Sequence, residues 1–472
     1  MATKKERSVE ELYRDDPDRA DAEVFGRKAA KGRVAAAGEA ASRRGFLGGA
    51  GLAAMSAAVG GPIVYSAAMP GGLVPAALAQ GAPAAPGQGS GTAAAAPAPA
   101  APAGPQPFDY PGKARGLMLL QDRPLVAETP EHMLDDATTP TDRFFVRNNG
   151  QIAADITNPD AHAFVIDGEV NAPLRLTVGE LKSRYRAVTY RLQMECGGNG
   201  RSFFSPQARG NQWGNGAIGC AEWTGVPLRD LLRAAGLKDS ARFTGNYGAD
   251  PHLSGDTSRQ SISRGMPIAK ALERHTLVAF AMNGQPIPHI HGGPVRLITP
   301  GWPGSLSHKW LTRIWIRDKP HDGAGMGGTS YRVPIVPIVP GSNVDGRENF
   351  ADMTSMPLRS ILTSHANGTR LAKGTRSLDI RGAAWAGDLD VQRVHVSTNF
   401  GQTWKAMRLA PPKNRFDWRR WSGSIQFPTD GYYEVWVRGQ DTTGKYQPHT
   451  AGNWNPQGYG ANSFHRIAML IG

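Results

Sequence analysis

Cys196 is the side chain best suited to hold a cofactor. It lies in Met194-Glu195-Cys196-Gly197-Gly198-Asn199-Gly200-Arg201, a glycine-rich turn after the apolar-alternating run Val188-Thr189-Tyr190-Arg191-Leu192-Gln193. The only other cysteine is Cys220, so neither a cysteine-rich zinc site nor a disulfide framework can be assembled. A thiolate in such a turn can ligate a soft metal, and the glycines would let backbone amides come close to a bulky anionic cofactor. Arg201, five residues on, can aim a guanidinium at a small oxyanion. The competing reading is a buried structural thiol, the common state of a free cysteine. His289-Ile290-His291 has the alternate spacing of copper ligands, but no further His/Cys cluster completes such a site.

These residues must be held by a mixed scaffold. Residues 164–170 read as a strand entering a turn, and 177–181 begin a short helix. Residues 227–236 form a helix with an early Pro and a terminating Gly. A short helix over 268–275 precedes 278–284, where Asn283-Gly284 signals a hairpin. This α+β pattern runs to about Asp318. After the proline-rich stretch 331–340 only strands follow, at 377–385, 391–397, 422–427 and 432–440, with the regular spacing of a β-sandwich.

The N-terminal region reads as an address. Ser42-Arg43-Arg44-Gly45-Phe46-Leu47 precedes a Gly/Ala-diluted apolar stretch ending at Ala77-Leu78-Ala79, the layout of a twin-arginine export signal with a small-x-small cleavage site. An uncleaved anchor is the alternative, though Pro62 and Pro70 interrupt the stretch. Residues 81–107 are almost wholly Ala, Pro and Gly, a spacer that cannot bury a core. The formal net charge is +13, of which the leader carries only about +2, so the exported part is basic. No dense Lys/Arg run interleaves with aromatics, which argues for small anions rather than nucleic acid as partners.

Several ordered blocks resemble the sulfite oxidase family of molybdenum enzymes across residues 139–466. They are Arg143-Phe144-Phe145-Val146-Arg147-Asn148-Asn149, the Cys196 turn, Trp213-Gly214-Asn215-Gly216-Ala217-Ile218, and Trp223-Thr224-Gly225-Val226-Pro227-Leu228-Arg229-Asp230. Gly292-Gly293-Pro294-Val295-Arg296-Leu297, Pro300-Gly301-Trp302 and Ser307-His308-Lys309-Trp310 follow, then Gly401-Gln402-Thr403-Trp404 and Trp454-Asn455-Pro456-Gln457-Gly458.

The resemblance implies a sulfite-oxidase-type molybdopterin domain followed by an Ig-like β-sandwich dimerisation domain. Residues 1–79 are then the signal region and 80–107 the linker. The catalytic domain spans 108–330, a connector 331–350 and the dimerisation domain 351–472. It implies molybdenum and molybdopterin as cofactors, with Cys196 as the one protein ligand of the metal. Asn149, Asp250, His291, Arg296, Ser307 and Lys309 match cofactor-binding positions: Arg and Lys can neutralise a phosphate, and Asp can accept from pterin amino groups. Arg147 and Arg201 match the anion-binding arginines, and Trp213 the pocket-wall tryptophan. As alternatives, Arg296 and Lys309 are surface charges flanking strands, Arg147 and Arg201 ordinary strand charges and Trp213 a core aromatic.

Three positions depart from animal members. Asn149 stands where a histidine follows the Arg-Asn pair, the tyrosine expected a few residues before Met266-Pro267-Ile268 is absent, with Ile262-Ser263-Arg264 there instead, and Gln457 replaces a third arginine. The resemblance implies a periplasmic homodimer that oxidises sulfite and gives electrons to a separate cytochrome c, since no Cys-x-x-Cys-His haem motif occurs. Two other readings remain open: a sulfane dehydrogenase subunit acting on carrier-bound sulfur, and a non-catalytic periplasmic binding protein.

Overall fold

The computed structural model describes residues 106–472 except 257 and 345. The export signal and nearly all of the spacer lie outside the described residues. The last two spacer residues, Gln106–Pro107, already pair with Met118–Gln121 at the edge of a four-stranded sheet completed by Val126–Glu128 and Val146–Arg147.

Two further sheets build the α+β region. In one, the strand Leu311–Arg317 runs parallel to Ala163–Gly168 and antiparallel to Phe243–Gly248. In the other, Val188–Glu195 pairs antiparallel with Ile218–Pro227, which pairs with Leu277–Met282. The helix Val178–Arg184 starts on a capping box, with Thr177 and Glu180 satisfying each other's backbone amides. The helix Leu228–Ala235 buries Leu228, Leu231 and Leu232 against the Phe164, Ile166 and Ile314 core and ends at left-handed Gly236. Asn283 and Gly284 both have positive φ, as a two-residue hairpin between Leu277–Met282 and Gln285–Pro286 demands. The third helix is one turn, Ile268–Ala271, and stops short of His275.

From Arg359 onward two sheets stack as a sandwich. One has the order Arg359–Leu362, Ser377–Trp385, Arg419–Gln426, Arg408–Leu409. The other has Thr369–Leu371, His465–Ile471, Gly431–Asp441, Val391–Ser397, Lys405–Ala406. Ile380, Val394, Val435, Val437 and Met469 fill the space between them. A separate cluster joins Ile218 and Cys220 to Ile361, Ala383, Trp385 and Trp418 of the sandwich. That contact explains why Val188–Glu195 alternates only in its first half. Leu192, Gln193, Met194 and Glu195 are all buried, because both faces of the strand are covered as it approaches Cys196.

Candidate active site

The turn after this strand is fixed from the sandwich side. Glu195 is fully buried and forms an ion pair with Arg359 (2.7 Å). It also accepts from Asn199 Nδ2 (2.9 Å) and from Trp385 Nε1 (2.7 Å). Arg359 donates in addition to the carbonyls of Asn199 and Ala461. Asn199 closes the turn by accepting from the Ala217 amide (3.1 Å). The space left by the glycines is occupied by protein: a Cβ on Gly198 would meet the Arg201 guanidinium at 2.5 Å, and one on Gly200 would meet that of Arg359 at 2.8 Å. Gly198 and Gly200 thus also admit two buried arginines, a use of these glycines that the sequence did not suggest.

Cys196 ends this clamp and faces a cavity also lined by Arg147, Asn149, Asp250, His291, Arg296, Ser307 and Lys309. Eight of the ten residues singled out by sequence thus come together from six separated segments. A second cavity of about 360 Å³ adjoins it, sharing Cys196, Arg147 and Tyr331 and adding Arg201, Gln457 and Tyr459. Trp213 lines neither. Its ring is fully buried, edge-on to Phe145 at 6.0 Å, so it is a core aromatic behind the wall rather than part of it. The strong apolar environment of Phe144, Phe145 and Trp223 draws it inward.

The first cavity is strongly cationic. Lys309 donates to Asn148 Oδ1 and the Ile290 carbonyl, both at 2.7 Å, and Arg296 donates to the Ser307 carbonyl at 2.7 Å. Burial pushes Lys309 well below the usual lysine range, with Arg296 adding repulsion, and burial lowers Arg296 to about 9. Asp250 is the only carboxylate on the wall, and burial raises its pKa despite a hydrogen bond from Ser261. Arg147 Nη1, Arg296 Nε, Ser305 Oγ and His308 Nδ1 line the cavity as buried polar atoms without protein partners. Such a wall fits a polyanionic ligand rich in acceptors. No group of three or more His, Cys, Asp or Glu side chains able to hold a metal occurs among the described residues. A metal beside Cys196 would therefore take its other ligands from the cofactor itself.

Two tyrosines join the site with no motif to mark them. Tyr331 donates to Asn149 Oδ1 (2.8 Å), packs at a tilt against Tyr459 (5.0 Å between centroids) and lies under the Arg264 guanidinium (4.6 Å). Its φ of 55° places it in the left-handed region, an unfavourable conformation for an aromatic residue. Tyr459 lies beside Arg201 (5.1 Å), and burial raises its pKa to about 12. The Gly-rich character of Pro456-Gln457-Gly458-Tyr459-Gly460 is the only sequence signal for the second.

Comparison with known proteins decides the family. Residues 149–324 match the oxidoreductase molybdopterin binding domain, and 351–471 match the Mo-co oxidoreductase dimerisation domain. Sulfite oxidase from Gallus gallus is 31% identical over 75% of this chain and 78% of its own length. The chain belongs to the sulfite oxidase family. Mitochondrial sulfite oxidase from Mus musculus is also 31% identical, over 77% of this chain and 67% of the relative. Among solved structures, the sulfane dehydrogenase SoxCD from Paracoccus pantotrophus matches with a TM-score of 0.61 and 28% identity. The match covers 72% of this chain and 83% of that one.

As a sulfite oxidase family member the chain is a molybdoenzyme oxidoreductase with a molybdenum–molybdopterin cofactor. The cationic cavity with its four unpartnered polar atoms fits that group. Cys196 would hold the metal, while Arg296, Lys309 and Ser307 would hold the anionic tail and Asp250 the pterin.

Proposed function

We propose that this chain is an exported sulfite dehydrogenase that oxidises sulfite to sulfate and passes electrons to a separate cytochrome c. One observation carries the reading: Arg147 and Arg201 meet beside Cys196, and neither has a carboxylate partner among the described residues. Arg201 is braced by Nε to the Gly458 carbonyl (3.1 Å) and Nη1 to the Asn211 carbonyl (3.0 Å), leaving guanidinium donors for a ligand. Gly458 is left-handed, and a Cβ there would meet the Arg201 side chain at 2.3 Å, so only glycine permits this brace.

Two guanidinium groups neutralise the sulfite dianion and hold it against the metal end of the cavity, so positioning is the protein's main contribution. The bound molybdenum cofactor supplies the two-electron redox chemistry. Overall, sulfite and water give sulfate, two protons and two electrons, the electrons leaving singly to the acceptor. The Arg43-Arg44 signal supports a periplasmic setting, and the dimerisation domain supports a homodimer. The basic chain suits an acidic acceptor whose docking weakens as salt shortens the Debye length to about 8–10 Å.

A second reading has its own support. A solved structure that shares this fold at 28% identity is a sulfane dehydrogenase, which favours sulfur carried on a larger group. The test is molybdenum analysis followed by sulfite-dependent reduction of ferricyanide or a cytochrome c. Metal-loaded protein that ignores sulfite but turns over a sulfur-carrying protein would decide for the second reading. Rapid peroxide formation with no cytochrome reduced would overturn the acceptor.

A further inference from the structure

Lys113 lies outside the matched molybdopterin domain, in the segment that precedes it, yet its ammonium reaches His291 on the cofactor cavity wall. Its contacts can be counted. Nζ donates to the carbonyls of Thr141 (2.8 Å) and Phe144 (2.6 Å), and its third direction points at His291 Nε2 (3.0 Å). A charged lysine has three donors and no acceptor, so Nε2 must accept and a neutral ring must carry its proton on Nδ1. The backbone of His291 is already committed, its amide to Pro288 and its carbonyl to Arg296 Nη1 (2.6 Å). That leaves Nδ1 as the ring nitrogen not engaged by Lys113, on a residue that lines the cavity.

We propose that Lys113 is a positioning residue that selects the tautomer of His291, and so decides whether that residue offers the pterin cofactor a donor or an acceptor. The inference rests on the cofactor assignment and not on the substrate. The surroundings keep the ring neutral: burial first, then Lys113, Lys309 and Arg296, hold His291 well below the usual histidine range, against a hydrogen bond to the Thr141 carbonyl that pulls the other way. Burial lowers Lys113 to about 7, with Asp142 as the opposing charge. Above that point a neutral Lys113 keeps its two carbonyl bonds and presents a lone pair, so Nε2 can become the donor and Nδ1 the acceptor.

The experiment is heteronuclear NMR of the full chain with its cofactor, with isotope-labelled histidine and the His291 signal assigned by its loss in His291→Gln. Below neutrality wild type should carry the ring proton on Nδ1, and the preference should invert as Lys113 loses its charge. In Lys113→Met the low-pH preference should disappear, and cofactor affinity should fall by about tenfold, as when a ligand's orienting partner is removed. A wild-type ring protonated on Nε2 below neutrality would overturn the proposal. So would a wild-type ring that stays protonated on Nδ1 after Lys113 has lost its charge, a result that needs no variant to fold. A Lys113→Met protein with the wild-type tautomer at every pH would do the same. Failure of the sulfite assay would leave all these readouts unaffected.

Discussion

Cys220 lies on the strand Ile218–Pro227 opposite Gln193, and Cys196 lies just past the end of the adjoining strand Val188–Glu195; both are buried free thiols. Their surroundings differ in kind. Cys196 opens onto two cavities where arginines and a lysine outnumber the single carboxylate, Asp250. Cys220 is packed among Leu134, Ile218, Ile361, Ala383, Trp385 and Trp418, and its Sγ lies 3.5 Å from Asp417 Oδ1. Burial first, then that carboxylate, pushes the Cys220 thiol well above its usual range, so it stays protonated and inert. A strand end can thus convert one of two similar residues into a ligand by ending the pairing where cavities begin.

The largest effect should come from Cys196→Ser. A hydroxyl is a harder and poorly ionised ligand, so turnover should be lost while cooperative unfolding and most of the pterin content remain. Sulfite oxidation at the wild-type rate by the variant would place the metal ligand elsewhere.

Next, Arg201→Met should raise the KM for sulfite by at least about tenfold, the consequence of losing a charge-assisted contact of roughly 1.5–3 kcal/mol. Normal molybdenum loading with an unchanged KM would show that the brace from Gly458 and Asn211 serves structure alone.

The scaffold behind Cys196 has its own pH signature. Glu128 accepts from the amides of Gly214 (2.8 Å) and Gly216 (3.0 Å), yet burial raises its pKa to about 7. A raised folded-state pKa means that the native protein binds the extra proton. The stability it gives is fully present below the unfolded value near 4.5 and is lost as pH rises through about 7. Over that window the change is about 3 kcal/mol. Thermal unfolding on both sides of it should show a fall in Tm with rising pH that Glu128→Gln flattens. An equal fall in the variant would remove Glu128 as the cause.

Much of this site could be read from the chain because its chemistry is carried by short ordered blocks. Cys196, Arg296, Ser307 and Lys309 sit at strand ends or in the turns beside them, where local sequence dictates both conformation and direction. The Thr177 and Glu180 cap, the Gly236 stop and the Asn283-Gly284 hairpin are legible for the same reason. What could not be read depends on tertiary contact. Trp213 has the composition of a pocket wall, but packing against Phe145 turns it into core. Tyr331 and Tyr459 reach the site from the connector and the sandwich, 128 residues apart, and no local pattern encodes that meeting. The sandwich strands Arg359–Leu362 and His465–Ile471 also escaped notice, the first because its arginine is neutralised only by distant Glu195.

The smallest effect tests the other side of the comparison. Cys220→Ser replaces a thiol with a hydroxyl of similar shape, which can still donate to Asp417 Oδ1. Asp417 itself stays paired with Arg191, through contacts of 2.8 and 2.5 Å, so no buried charge is orphaned. The backbone is held independently, since the Cys220 amide donates to Thr139 Oγ1 (2.9 Å) and its carbonyl accepts from the Thr139 amide (2.7 Å). What is lost is the fit of a soft, apolar sulfur against Trp385 and Trp418, and a smaller polar atom there should cost about 1 kcal/mol. Sulfite turnover and molybdenum content should equal wild type, with a small drop in Tm. A loss of metal comparable to that of a cofactor-site variant would mean that the cluster joining the sheet to the sandwich sets the position of Cys196, and that the two thiols are not independent.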